Sequence, residues 1–302
     1  MKIIFLIISI LISLNTFSQT RFISIDGVDL RINTIGFENR AEGQPVVVFE
    51  NGHGETIKSW SKIIDSASKI CPIVLYDRAG TGESKPDNKI PSIEYNSKKL
   101  KKILDTLNIK PPYLLAGHSL GGIYIRGFAN YYPDDLAGLI FIDPADFTQK
   151  LVDFEVPFRE IGVTEEYIDS MMIAKFGTVS IIDSARNIRV QQESEMLRKL
   201  RTSDFKELNE KDLPPIPIYF IVGGRFSVPQ QFRSKDYDQE SLFRARTKHW
   251  IEHWTNVVTK SPYGRLFYSS KAGHYVQYDD PELIILSINL AIADYYKMIK
   301  EK

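Results

Sequence analysis

The chain of 302 residues contains one cysteine, Cys71. A single thiol excludes an intrachain disulfide and any thiolate zinc cluster built within one chain. Neither sign of charge is in surplus: 38 Lys and Arg balance 38 Asp and Glu. No global field draws the chain to nucleic acid or acidic lipid, and no nucleic-acid partner is expected. Internal repeats and low-complexity segments are also missing. What is present is ordinary for a globular protein, with 43% hydrophobic and 25% charged residues. That balance excludes a disordered chain, a collagen-like repeat and a multi-span membrane protein.

Long hydrophobic runs are scarce. The run from Ile3 to Ile12 is broken by Ser9 and falls short of the roughly 20 apolar residues a membrane span needs. Lys2 precedes it, and the small residues Thr16 and Ser18 follow. This is the order of a signal peptide over residues 1–18, with cleavage expected between Ser18 and Gln19. The alternative is an uncleaved N-terminal anchor. Cleavage predicts an exported protein, periplasmic or secreted, with no stable membrane insertion once the leader is gone.

From residue 22 onward, short apolar runs alternate with helical patterns. Phe22–Ile25 and Leu30–Ile35 flank Asp26-Gly27, a hairpin signal. Apolar runs at 45–50, 72–76, 113–116 and 137–142 read as buried parallel strands. Helices are expected between them, at 57–70, 92–107 and 120–132. The alternation lapses over 147–213, where only helical periodicity is found. It resumes with strands at 216–222 and 265–268 and helices at 240–259 and from Pro281, with Asp279 or Asp280 as cap. The pattern predicts an α/β fold with a mostly parallel sheet flanked by helices, and a helical cap inserted at about 147–213.

The strongest chemical signal is Gly117-His118-Ser119-Leu120-Gly121, between an apolar run and a helical pattern. A turn that tight strains the central serine and demands tiny neighbours, which Gly117 and Gly121 are. Gly122 lets the helix pack closely on the sheet. A serine nucleophile needs a base. Of the five histidines, His274 follows the last strand, in Ala272-Gly273-His274-Tyr275, at the same sheet edge. An oxyanion hole needs two convergent backbone N–H groups. Leu120 supplies one, and the loop Asn51-Gly52-His53-Gly54 supplies the second, through His53 or else Gly54.

These segments together resemble the α/β-hydrolase superfamily. Glu50 to Gly54, Asp77 to Ser84, Gly117 to Gly122, Ile142-Asp143-Pro144 and Gly273-His274 occur in family order. The resemblance implies an eight-stranded sheet with a cap inserted after the sixth strand. It leaves the triad acid open. The family often places an aspartate just after the strand that here ends at Gly223-Gly224, but Arg225, Phe226, Ser227 and Val228 follow. Asp236 and Asp238 come later. The other family placement is Asp143, and Asp146 is a further candidate.

Weaker signals have plainer readings. His249-Trp250-Ile251-Glu252-His253 matches a zinc-peptidase pattern but lacks a third ligand, so no metal is expected. Gly80-Thr81-Gly82 is a turn rather than a dinucleotide loop, with Asp77 and Arg78 pairing locally. Cys71 reads as an inert core thiol. Phe147, Phe154, Phe158 and Phe176 either line an acyl pocket or form the cap's own core. The expectation is a cofactor-free serine hydrolase acting on a small-molecule ester or amide. The alternatives are a non-catalytic binding protein on the same scaffold, or an aminopeptidase-like amide hydrolase.

Overall fold

The computed structural model describes residues 19–177 and 182–301, so the leader expected over 1–18 lies outside them. Eight strands form one sheet: β1 (Gln19–Ile25), β2 (Val28–Ile35), β3 (Val46–Glu50), β4 (Ile73–Tyr76), β5 (Tyr113–His118), β6 (Leu136–Ile142), β7 (Ile218–Gly223) and β8 (Gly264–Ser269). Their order is β1-β2-β4-β3-β5-β6-β7-β8. β1 and β2 are a hairpin, closed by Asp26 and Gly27 at φ 55° and 77°, the positive values a type I′ turn requires. β2 is also antiparallel to β4, and every later pairing is parallel.

Alternation along each strand divides the core into two layers. Val46 and Val48 of β3 face one way, against the helices Ile93–Thr106 and Leu120–Tyr131. Val47 and Phe49 face the other, against Trp60, Ile63 and the helix Pro281–Lys300. All residues of β3 to β7 are buried, which is why those strands read as continuous apolar runs.

Some expectations need correction. The helix expected at 57–70 is two single turns, Ile57–Trp60 and Ile64–Ala67. Its inward residues Trp60, Ile63 and Ala67 are buried as the periodicity requires. The break follows from local bonds: Ser61 N–H closes the first turn on Lys58 O, and Trp60 Nε1 donates to Asn51 Oδ1 at 2.7 Å. Asp280 does precede the last helix, but its carboxylate does not cap it. It accepts from Ser269 Oγ at 2.6 Å and pairs with Lys271 at 3.0 Å.

Between β6 and β7 the described residues form only helices: Leu151–Phe154, Val156–Glu160, Glu165–Phe176, Ile188–Thr202 and Lys206–Asn209. Phe147 does not line the space beside His274. It packs on Phe141, Phe220 and Trp254, with ring centroids 5.4, 6.2 and 5.0 Å away. Phe158 anchors a small separate cluster with Ile168 and Leu242. Cys71 is buried, and burial pushes its thiol up to about 12. Among the described residues no helix is long and apolar enough to cross a membrane. Since β3 to β8 all run the same way, the loops after them collect at one sheet edge.

Candidate active site

Ser119 stands where β5 turns into the helix Leu120–Tyr131, at φ 52° and ψ −114°. That conformation is strained for a residue with a Cβ. The chain crosses itself closely there. A Cβ on Gly117 would stand 2.5 Å from Gly121 O, and one on Gly121 2.3 Å from Glu50 O. Only glycine fits either position.

His274 Nε2 lies 3.1 Å from Ser119 Oγ. Its Nδ1 lies 2.6 Å from Asp143 Oδ2. Asp143, just beyond β6, is fixed in turn: its Oδ1 accepts from Gly223 N–H at 2.9 Å, and its own N–H donates to Ile221 O at 2.7 Å. The fold therefore lines up three side chains drawn from the ends of β5, β6 and β8. Burial of the His274 ring disfavours its charged form, but Asp143 outweighs this and lifts the imidazole above the ordinary histidine range.

The other acid candidates are occupied elsewhere. Asp238 caps the helix Gln239–Val258, accepting from the N–H groups of Glu240 and Ser241. Asp236 is exposed and accepts from Ser234 Oγ at 3.4 Å. Asp146 pairs with His253 Nδ1 at 2.5 Å. His249 pairs instead with Glu160 at 3.0 Å, so the two histidines of the zinc-like pattern serve different carboxylates. Among the described residues no three His, Cys, Asp or Glu side chains gather to hold a metal ion.

The loop after β3 is wired from several sides. Asn51 Nδ2 donates to Tyr76 O at 2.7 Å. Gly52 N–H donates to Glu55 Oε2 at 2.9 Å. Arg78 donates to Asn51 O at 2.6 Å and to Gly52 O at 2.8 Å. Among the described residues the backbone N–H groups of His53 and Leu120 have no acceptor. The His53 ring turns outward, with Nε2 2.7 Å from Val190 O and 3.0 Å from Ser194 Oγ. Gly54 sits at φ 68° against Val190.

Sequence reasoning missed two groups here. Arg78 is not a local partner of Asp77. Its guanidinium is fully buried between Glu50 of β3, at 2.8 Å, and Glu193 of the helix Ile188–Thr202, at 2.8 Å. Burial drives the Glu50 carboxyl above its usual range, with Arg78 and the Tyr76 hydroxyl opposing. Asp77 accepts from Glu83 N–H within its own turn and from Ile57 N–H, 20 residues away in sequence. The second group is Glu55 and His118. His118 Nδ1 stands 2.9 Å from Glu55 Oε1, and its Nε2 donates to His274 O at 2.8 Å. Burial pushes the Glu55 carboxyl up, but His118 and the Gly52 N–H outweigh it and hold it low.

A cavity of about 280 Å³ opens beside His274, lined by Arg225, Phe226, Tyr237, Phe243, Arg246 and Trp250 among others. Arg225, Phe226 and Tyr237 lie in a stretch after β7 without periodicity, and Phe243, Arg246 and Trp250 lie on the helix Gln239–Val258, where helical periodicity alone does not mark a cavity. A larger cavity of about 650 Å³ lies near Ile218, where β7 begins, at the opposite end of the sheet from Ser119.

With fold and geometry in view, comparison with known proteins gives the class. A family model for the alpha/beta hydrolase fold matches residues 45–161. The chain belongs to the α/β-hydrolase superfamily. It is 33% identical over 286 residues to the probable transporter efuK of Hormonema carpetanum, covering 85% of this chain and 40% of that protein. It is 31% identical over 99 residues to YqjL of Bacillus subtilis, covering 33% of this chain and 39% of that one. The chain thus spans about two fifths of the length of these two curated relatives. Carboxylesterase CesB from Bacillus subtilis superposes with a TM-score of 0.54 at 16% identity, covering 91% of each chain. The structure has the fold of the α/β hydrolases, and esterases are among its structural neighbours.

Proposed function

We propose that the protein is an exported serine hydrolase that cleaves a carboxylic ester or amide through an acyl-enzyme. The observation that carries this reading is the hydrogen-bonded chain Ser119–His274–Asp143 at the sheet edge. In this reading Ser119 Oγ attacks the substrate carbonyl while His274 Nε2 accepts its proton. Asp143 holds Nδ1–H and stabilises the imidazolium. The unused N–H groups of His53 and Leu120 bind the oxyanion. His274 then protonates the leaving group, and water releases the acyl group by the reverse path. Nothing in this cycle requires a metal or an organic cofactor. The helical segment between β6 and β7 acts as the cap, and the cavity beside His274 receives the substrate.

Labelling with a fluorophosphonate probe, followed by peptide mapping, tests the nucleophile. Modification of Ser119 and turnover of p-nitrophenyl esters are the expected results. An unlabelled protein that hydrolyses nothing would leave a binding protein on a hydrolase scaffold. The export reading rests on the order of residues 2–18. N-terminal sequencing of exported material should begin at Gln19, and a chain retained in the cytoplasm with Met1 in place would refute it.

A further inference from the structure

The cavity beside His274 contains two arginines, and they are not equivalent. Arg225 is neutralised by Asp279 at 2.8 Å. Arg246 has no carboxylate partner among the described residues. Its guanidinium lies over two aromatic faces, 5.2 Å from the Phe154 centroid and 4.9 Å from that of Phe158. Lys175 Nζ lies 5.3 Å from the same Phe154 ring. Arg201, on the helix Ile188–Thr202, completes the group. Burial and the repulsion of Arg246 bring its guanidinium down to about 10. Lys175 is lowered by burial and then by Arg201 and Arg246. Three cations from three helices therefore converge. Asp146 is the one carboxylate whose charge favours protonated Arg201, and it is already engaged by His253 and Thr148.

Such a cluster is costly unless something offsets it. A cation–π contact contributes about 0.5–2 kcal/mol and explains the seat of Arg246 on its own. It does not explain why the half-buried Arg201 and Arg246, with the exposed Lys175 near them, gather without a carboxylate bonded to any of the three among the described residues. Buried charges are otherwise paired, and a carboxylate is the natural partner of a free guanidinium fork. We infer that the substrate carries an anionic group, a carboxylate or comparable oxyanion, which seats on Arg246 in the cavity it shares with His274, with the charge of Arg201 behind it. This rests on the reading of Ser119 and His274 as the hydrolytic pair, and it names the substrate class for that site.

The charge could lie on either side of the scissile bond, so the test has two arms. For the acyl side, kcat/KM is compared between p-nitrophenyl hemiglutarate and p-nitrophenyl valerate. For the alcohol side, 4-carboxyphenyl valerate is compared with phenyl valerate. In one arm the anionic-to-neutral ratio should fall about tenfold or more in Arg246→Gln and in Arg201→Gln, the size of a lost charge-assisted hydrogen bond. Arg246→Lys should recover part of it. Dividing the wild-type ratio by the variant ratio cancels the intrinsic reactivity of the esters. Ratios unmoved by both substitutions in both arms would overturn the inference and leave the arginines as cap packing. If no ester turns over and the fluorophosphonate leaves Ser119 unlabelled, the hydrolase reading has failed. The cavity is then judged by calorimetric titration with glutarate. Binding that disappears in Arg246→Gln upholds it, and no binding at millimolar glutarate overturns it.

Discussion

Glu193 and Arg78 are 115 residues apart in sequence and meet in a buried two-point contact. Glu193 Oε1 accepts from Arg78 Nε at 2.8 Å, and Oε2 accepts from Nη2 at 3.1 Å. The remaining guanidinium hydrogens reach Glu50, Asn51 O and Gly52 O. One side chain thus joins the helix Ile188–Thr202 to the loop that carries the His53 N–H. The Arg78 guanidinium also lies 4.9 Å from the Tyr124 ring centroid.

Removing the cation strands two buried carboxylates. Arg78→Met should cost about 3–5 kcal/mol of stability, the usual effect of breaking a buried ion pair from one side. Urea denaturation measures it. Glu193→Gln keeps the shape and one acceptor, so the loss should be smaller, about 1–3 kcal/mol. A midpoint unchanged in Arg78→Met would mean that the cluster carries no net weight.

The acid can be located by substitution. Asp143→Asn should lower kcat by about 10⁴-fold, because asparagine favours the wrong imidazole tautomer. Asp236→Asn should stay within a few-fold of wild type. Asp238→Asn should do the same, since asparagine caps a helix about as well as aspartate. Full activity in Asp143→Asn would remove that carboxylate from the reaction.

The pH profile follows from the His274 environment. As the base, His274 must be neutral, so kcat/KM should rise with pH through its protonation. Asp143 raises that protonation against the opposing effect of burial. The acidic limb should therefore lie above the ordinary histidine value of about 6.5. With the anion gone in Asp143→Asn, the limb of the residual activity should move to lower pH. A limb that stays in place would show that another group governs it.

The turn at Ser119 tolerates no extra atom on Gly117 or Gly121. In Gly121→Ala the new Cβ would meet Glu50 O at 2.3 Å, so the helix Leu120–Tyr131 or β3 must move. A destabilisation of about 1–3 kcal/mol is expected from overpacking alone. Activity should fall further than stability, because Ser119 and the Leu120 N–H move with the helix start. Thermal unfolding together with ester turnover would separate the two effects.

Much of this arrangement is legible in the order of residues. Runs such as Val46–Phe49 can only be buried strands, and Gly117 and Gly121 around Ser119 announce a turn that admits nothing larger. His274 is recognisable from its place after the last strand. The acid is not, because Asp143, Asp146, Asp236 and Asp238 are the same residue type and lie in loops without periodicity. What separates them is contact: Asp143 meets His274, while Asp146 meets His253 and Asp238 meets the start of a helix. The aromatic residues of the cap are similarly ambiguous in sequence. Phe147 joins the sheet's core, and the cavity beside His274 is lined from the segment after β7.

By itself, the sequence determined the strand and helix alternation, the two-layer core and the strained serine. Each depends on residues within about ten positions of one another, where periodicity and steric bulk act directly. The Arg78–Glu193 contact, the Glu55–His118–His274 link and the converging Lys175, Arg201 and Arg246 were decided only by the tertiary structure. Their partners lie tens to more than a hundred residues apart. Charge and hydrogen bonding select such partners only once the sheet order has brought their loops to a common edge.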